Sequence, residues 1–173
     1  SSLSDANKAA IHSSFKSNSQ WTTDWSSFIG STPLNDSNFQ TAINMWFSDE
    51  AYAIATYGHI RDWNTSAVTN MTQAFVNRSN FNEDISNWDV SKVTNFVRMF
   101  KNASSFNQPI GDWNTSSATT FLSLFEGASS FNQPIGNWDT SKVTVSWHTF
   151  TGSSLQDNEP CWYTDSPNAP CAN

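Results

Sequence analysis

The sequence predicts an α/β repeat protein, a short right-handed solenoid with one strand and one short helix in each 25-residue coil. The chain has 173 residues, and the same aromatic residues recur in it at a fixed interval. Its aromatic content of 14 % is high and its charged content of 13 % is low, so we expect a core built from aromatic rings. A fixed interval of this length is typical of repeat proteins, in which each unit packs on its neighbours.

The repeat is carried by columns of identical residues spaced 25 apart, without insertion or deletion. The columns are Trp63, Trp88, Trp113 and Trp138; Phe75, Phe100, Phe125 and Phe150; and Ile60, Ile85, Ile110 and Ile135. They predict four coils at 60–84, 85–109, 110–134 and 135–159. The period falls in the range of leucine-rich repeats, so we expect a leucine-rich-repeat-like solenoid. In such a stack the Trp and Phe columns would form a structural spine.

Each unit divides into an extended part and a helical part. In the second unit Trp88 and Val90 alternate with Asp89, which is the period of a strand. The apolar residues that follow are spaced by three and four, the stripe of an amphipathic helix; they are Val93, Phe96, Met99, Phe100 and Ala103. Thr94 could cap this helix. The crossover rule for parallel strands predicts a right-handed path.

The segments on either side of the coils differ from the repeat. Residues 1–59 predict a helical cap, with helices near 4–16 and 36–48. Residues 160–173 predict a C-terminal cap, which completes one continuous domain. This cap holds Cys161 and Cys171. The pair indicates either a disulfide lid in an oxidising compartment or two unpaired thiols.

Composition excludes several classes of partner. The net charge is −7, which argues against binding of nucleic acid or an anionic membrane by charge. No run of 18 apolar residues occurs in the sequence, so we expect no membrane insertion. The sequence has no metal-ligand spacing, nucleotide motif or catalytic motif, so we expect no cofactor, no metal site and no catalytic residues.

The repeat unit resembles that of the BspA-like, mycoplasma-lipoprotein type surface proteins, whose pattern is close to W-(D/N)-(V/T)-S-x-V-T-x-M-x-x-M-F-x-x-A-x-x-F-N-x-x-I. The second unit matches at Trp88, Asp89, Val90, Ser91, Val93, Thr94, Met99, Phe100, Ala103, Phe106, Asn107 and Ile110. The resemblance covers about 34–155. It implies a cell-surface or secreted location and a role in adhesion or recognition, and it supplies no catalytic residues.

Acidic and amide residues flank each Trp of the repeat. The column before Trp is Asp62, Asn87, Asp112 and Asn137, and the column after Trp is Asn64, Asp89, Asn114 and Asp139. Their alternation can separate like charges and allow hydrogen bonds between coils. It can also form a ligand or partner face for a glycan, a protein or Ca²⁺. Asn77 and Asn102 lie in equivalent N-x-S sequons and are candidates for N-glycosylation.

These observations lead to a functional expectation. We expect an extracellular or cell-surface binding or adhesion module whose partner is a protein or a glycan. The alternative is a structural subunit that assembles with copies of itself into a filament, sheath or cell-wall layer, because an open coil edge pairs with its neighbour. An enzyme is the least expected of the three.

Overall fold

A computed structural model describes the protein over residues 32–163. In this range α1 spans Phe39–Ser48, α2 spans Glu50–Tyr57, and a 3₁₀ turn spans Ile60–Asp62. The helix predicted at 36–48 begins later than expected, because the Asn35 carbonyl accepts the N–H groups of Asn38 and Phe39 in a turn. The helix predicted near 4–16 lies outside the described residues.

Four irregular coils follow the helices, and neither an α-helix nor a strand forms in them over the described residues. The predicted leucine-rich-repeat-like α/β solenoid, with one strand and one helix per coil, is therefore wrong. The right-handed path of the coils stays a prediction. Strand-like pairing between successive coils is limited to single parallel bridges, which join Asn70 to Asn95, Asn95 to Thr120, and Thr120 to Val145.

Tight turns replace the predicted strand. In the second coil the Trp88 N–H donates to the Ile85 carbonyl at 3.1 Å, and the Val93 N–H donates to the Val90 carbonyl at 2.9 Å. These bonds close turns of four residues within the coil. An N–H used in such a turn is not free for a ladder between coils, so the alternation around Trp88 does not extend into a strand.

A run of turns also replaces the predicted helix. We call this run the turn strip; it covers 69–78, 94–103, 119–128 and 144–153. Alternate N–H groups of the first three strips donate to the next coil, as Arg98 does to the Leu122 carbonyl at 2.9 Å and Phe100 to the Leu124 carbonyl at 2.9 Å. The N–H groups between them fold back by three residues, as Met99 does to Phe96. An α-helix would need all these N–H groups for bonds to residue i−4.

The Thr column beside the turn strip joins coils instead of capping helices. The N–H of Thr94 donates to the Thr69 carbonyl at 2.9 Å, and its hydroxyl donates to the same oxygen at 3.3 Å. Thr119 and Thr144 repeat this pair of bonds on the coil before each of them. The helix-capping role predicted for Thr94 is therefore wrong, since its bonds leave the coil.

The core consists of stacked aromatic columns. Trp63 lies on Trp88 at 6.0 Å between ring centroids, and Trp113 lies on Trp138 at 6.3 Å, with interplanar angles of 9°. The Phe75, Phe100, Phe125 and Phe150 rings stack at 5.4–5.9 Å. Each indole N–H of the repeat Trp column donates to a backbone carbonyl; that of Trp88 donates to Ile60 at 2.8 Å. Burying these rings removes large apolar areas from water without leaving the indole N–H unpaired.

The first coil is closed by α1 and the segment before it. Asp36 accepts the Thr69 N–H at 2.7 Å, the Thr69 hydroxyl at 2.6 Å and the Asn70 N–H at 3.1 Å. Trp46 of α1 meets Trp63 edge to face at 6.2 Å. A side-chain carboxylate and a helix thus stand where a preceding coil would lie.

The last coil is closed by aromatic rings of the predicted C-terminal cap, while the predicted Cys161–Cys171 disulfide involves a residue outside the described range and stays a prediction. Trp162 stacks on Trp138 at 6.2 Å, and its indole N–H donates to the Ile135 carbonyl at 3.0 Å. It is a fifth layer of the Trp column. Tyr163 lies edge to face on Phe150 at 5.1 Å. Cys161 is exposed, and Cys171 lies outside the described residues.

Candidate functional site

The column after Trp is exposed and is fixed by local turns. Asn64, Asp89, Asn114 and Asp139 each accept the N–H of the Ser two positions later through Oδ1, at 2.9–3.2 Å. These are Asx turns, which either an amide or a carboxylate can form. The turn is therefore present in every coil, whether the residue after Trp is Asp or Asn. The hydrogen bonds run along the chain, and not from one coil to the next as the sequence had suggested.

The column before Trp is exposed and unengaged. Asp62, Asn87, Asp112 and Asn137 have no hydrogen bond or ion pair from their side chains to any other described residue. The Trp beside each of them is buried and stacked, so the backbone of this column is held on the spine. The result is a row of one free carboxylate or amide per coil, at a spacing set by the ring stacking.

The carboxylates beside this row favour the ionised form. Hydrogen bonds from the Ser91 side chain and backbone lower the pKa of Asp89, and partial burial opposes them only weakly. The Ser141 backbone and side chain lower the pKa of Asp139 in the same way. Lys92 and Lys142 add a small favourable charge. The face is therefore anionic at neutral pH and carries amide groups between its charges.

The Asp/Asn columns lie outside two open grooves on the described surface. These grooves, of about 300 and 270 Å³, are lined by other residues. In the larger one the Arg78 guanidinium covers the Phe47 ring at 4.2 Å, so that ring has no free face there. Among the described residues no three His, Cys, Asp or Glu side chains are grouped to hold a metal ion. The face is thus open and suited to contact over an area.

The candidate glycosylation sites contact each other. The Asn102 amide N–H donates to Asn77 Oδ1 at 2.8 Å, and both residues are exposed. Both have a positive φ, 59° at Asn77 and 58° at Asn102, in the turn strip. Asn tolerates this conformation better than most residues. The later coils place Gly127 and Gly152 at the same position, so this Asn column has a backbone role.

The last coil carries an exposed apolar site that the sequence did not predict. Trp147 is 65 % exposed and Val145 is 37 % exposed, and they are the exposed large hydrophobic residues of the described range. A signal was present in the 25-residue columns, because Trp147 aligns with Thr72, Val97 and Leu122. Trp147 lies at an outward-facing position of the repeat, whereas the Trp residues of the stacked column are buried.

Together these features define a class of protein: a stack of strandless 25-residue coils with aromatic layers inside and a repeated polar face outside. The family described as "Mycoplasma protein of unknown function, DUF285" matches residues 41–162, so the chain belongs to this family. Comparisons with curated proteins and with solved structures gave no match. No helix within 32–163 is long and apolar enough to cross a membrane.

Proposed function

We propose that this protein is a non-catalytic binding or adhesion module that acts outside the cell or at its surface. The observation that carries the proposal is the row of free side chains before Trp, from Asp62 to Asn137. Evenly spaced and unpaired on a rigid spine, they can accept and donate hydrogen bonds to a partner at little ordering cost. The resemblance to BspA-like surface repeats supports the location.

The chemistry of the row indicates the kind of partner. Carboxylates that alternate with amides match a ligand with many hydroxyl groups or a protein face with amide and basic groups. A polysaccharide meets the first requirement, because its hydroxyl groups also repeat along a chain. The open shape of the face fits such an extended ligand better than a small molecule, which binds in a concave pocket.

The test is binding of the labelled full chain to an array of glycans and extracellular proteins. The test variant replaces the free row with serine: Asp62→Ser, Asn87→Ser, Asp112→Ser and Asn137→Ser. The control variant changes an exposed column elsewhere: Asn80→Ala, Ser105→Ala and Ser130→Ala. We expect the wild type and the control to bind the same ligands and the test variant to lose at least about tenfold in affinity. Equal binding by all three would contradict the proposal, as would no ligand for the wild type.

A localisation experiment tests the second half of the proposal. Antibodies to the folded chain, applied to intact cells of the source organism and to its culture medium, should detect the protein in one of the two. Detection only after the cells are broken would refute the extracellular location and leave the binding result unaffected.

A further inference from the structure

The turn strip of the last coil leaves a row of backbone donors without partners. In the strip before it, the N–H groups of Phe121, Ser123 and Phe125 donate to the carbonyls of Val145, Trp147 and Thr149 at 2.8–2.9 Å. The corresponding groups of the last strip that reach the surface are the N–H groups of Ser146 and His148, because Phe150 is fully buried under Tyr163. Within residues 32–163 no oxygen accepts a hydrogen bond from these N–H groups.

An exposed apolar site coincides with this donor row. Val145 and Trp147 alternate with Ser146 and His148 along the same strip, and Trp147 has 65 % of its surface exposed. The last strip therefore has an exposed aromatic side chain beside unpaired backbone N–H groups. Unpaired backbone N–H groups can form hydrogen bonds to the carbonyls of an extended peptide. An exposed aromatic side chain can add binding affinity and fix the register of that peptide.

The opposite end of the stack shows that this edge is not matched by a second copy. There Asp36, which precedes α1, accepts the Thr69 N–H, and Phe47 of α1 lies over the same turn strip, with its ring 6.2 Å from that of Phe75. A head-to-tail stack would require that strip to be open. A twofold contact through the last strip would place donors against donors, which cannot pair.

We propose that the outer edge of the last turn strip, 144–153, binds an extended segment of a partner polypeptide. The segment supplies backbone carbonyls to the N–H groups of Ser146 and His148 and an apolar side chain to Trp147. The stack itself provides the template, because each strip of an inner coil receives the carbonyls of the next strip in this register. This surface is separate from the Asp/Asn columns, so the inference goes beyond the proposed function.

Amide hydrogen exchange of the full chain, followed by NMR, tests the proposal. The probe is a synthetic peptide of residues 117–128, the segment that occupies this place on the second coil. Without peptide, the Ser146 and His148 amides should exchange at least about tenfold faster than those of Phe121 and Ser123. Excess peptide should slow them by a similar factor. A control peptide with proline at the positions of Leu122 and Leu124 should not slow the exchange of these amides.

A matched pair of variants identifies the site. Trp147→Ser should raise the Kd of the peptide at least about tenfold, and Ser130→Ala, on another exposed column, should leave it unchanged. Both variants should keep the wild-type circular dichroism. Protection of the Ser146 and His148 amides in the free chain would overturn the proposal, since the edge would then be occupied by the chain itself or by a second copy. Absence of peptide binding, or equal binding by Trp147→Ser, would overturn it as well.

Discussion

The aromatic spine makes two tryptophans of this chain differ sharply in their effect on stability. Trp113 is 4 % exposed, its ring lies 6.3 Å from that of Trp138, and its indole N–H donates to the Ile85 carbonyl at 3.3 Å. Trp113→Ala removes the packing, at about 3–5 kcal/mol for a buried Trp. The Ile85 carbonyl still accepts the Trp88 N–H at 3.1 Å in this variant, so the lost packing sets the expected loss of stability.

Trp147→Ala is the matched control, because it is the same substitution at a side chain that is 65 % exposed. We expect it to change the free energy of unfolding by less than about 0.5 kcal/mol. Urea unfolding followed by far-ultraviolet circular dichroism measures both variants, and equal m-values keep the comparison valid. Losses of similar size in the two variants would refute the assignment of inner and outer tryptophans.

Three further predictions concern the cap, the strip and the face. Asp36→Asn should lower stability by about 1 kcal/mol at pH 7, since the carboxylate accepts three bonds at a site open to water. Burial raises the pKa of Asp36, but these hydrogen bonds outweigh it and lower the pKa overall, so this stability is present above the unfolded pKa and is lost as pH falls through the folded pKa. A difference between wild type and variant that persists at pH 2 would contradict this. Gly127→Ala should cost about 1–3 kcal/mol, because φ is +71° and the new Cβ would lie 2.3 Å from Asn102 Oδ1. Thermal melts measure this loss. The control Gly136→Ala should be neutral in them, because no atom lies within 4 Å of the new Cβ; equal losses in the two variants would exclude backbone strain at Gly127. Asp89→Ser should cost under about 1 kcal/mol, since a Ser hydroxyl can form the same turn; a larger loss would give this carboxylate a further role.

The composition of the core could be predicted from the sequence, while the path of the backbone could not. Identical residues at a fixed spacing occupy equivalent places in a stack, which locates the aromatic columns from the sequence alone. The spacing of Phe96, Met99 and Phe100 suits a helix, but a run of turns with φ of +55° at Arg98 directs the same side chains inward. The periodicity predicts which residues face the core, but it does not predict which carbonyls accept the hydrogen bonds of their N–H groups.

The candidate face, too, could be predicted from the sequence only in part. Exposure of Asp89 and Asn87 follows from their places beside a buried Trp, and the sequence alone suggests it. That Asp89 is engaged in a turn while Asn87 is free depends on backbone torsions, which the residue types do not specify. Trp162 was missed as a spine residue because it follows Trp138 by 24 positions and not 25.

The central claim is that alternate N–H groups of the first three turn strips bond to the next coil, with no α-helix and no strand in the repeat. Scalar couplings across hydrogen bonds, measured by NMR on the full chain, report donor and acceptor directly. The structure predicts couplings from the amide nitrogen of Arg98 to the carbonyl carbon of Leu122 and from Phe100 to Leu124. A coupling from Phe100 to Phe96, four residues earlier, would show a helix and contradict the claim.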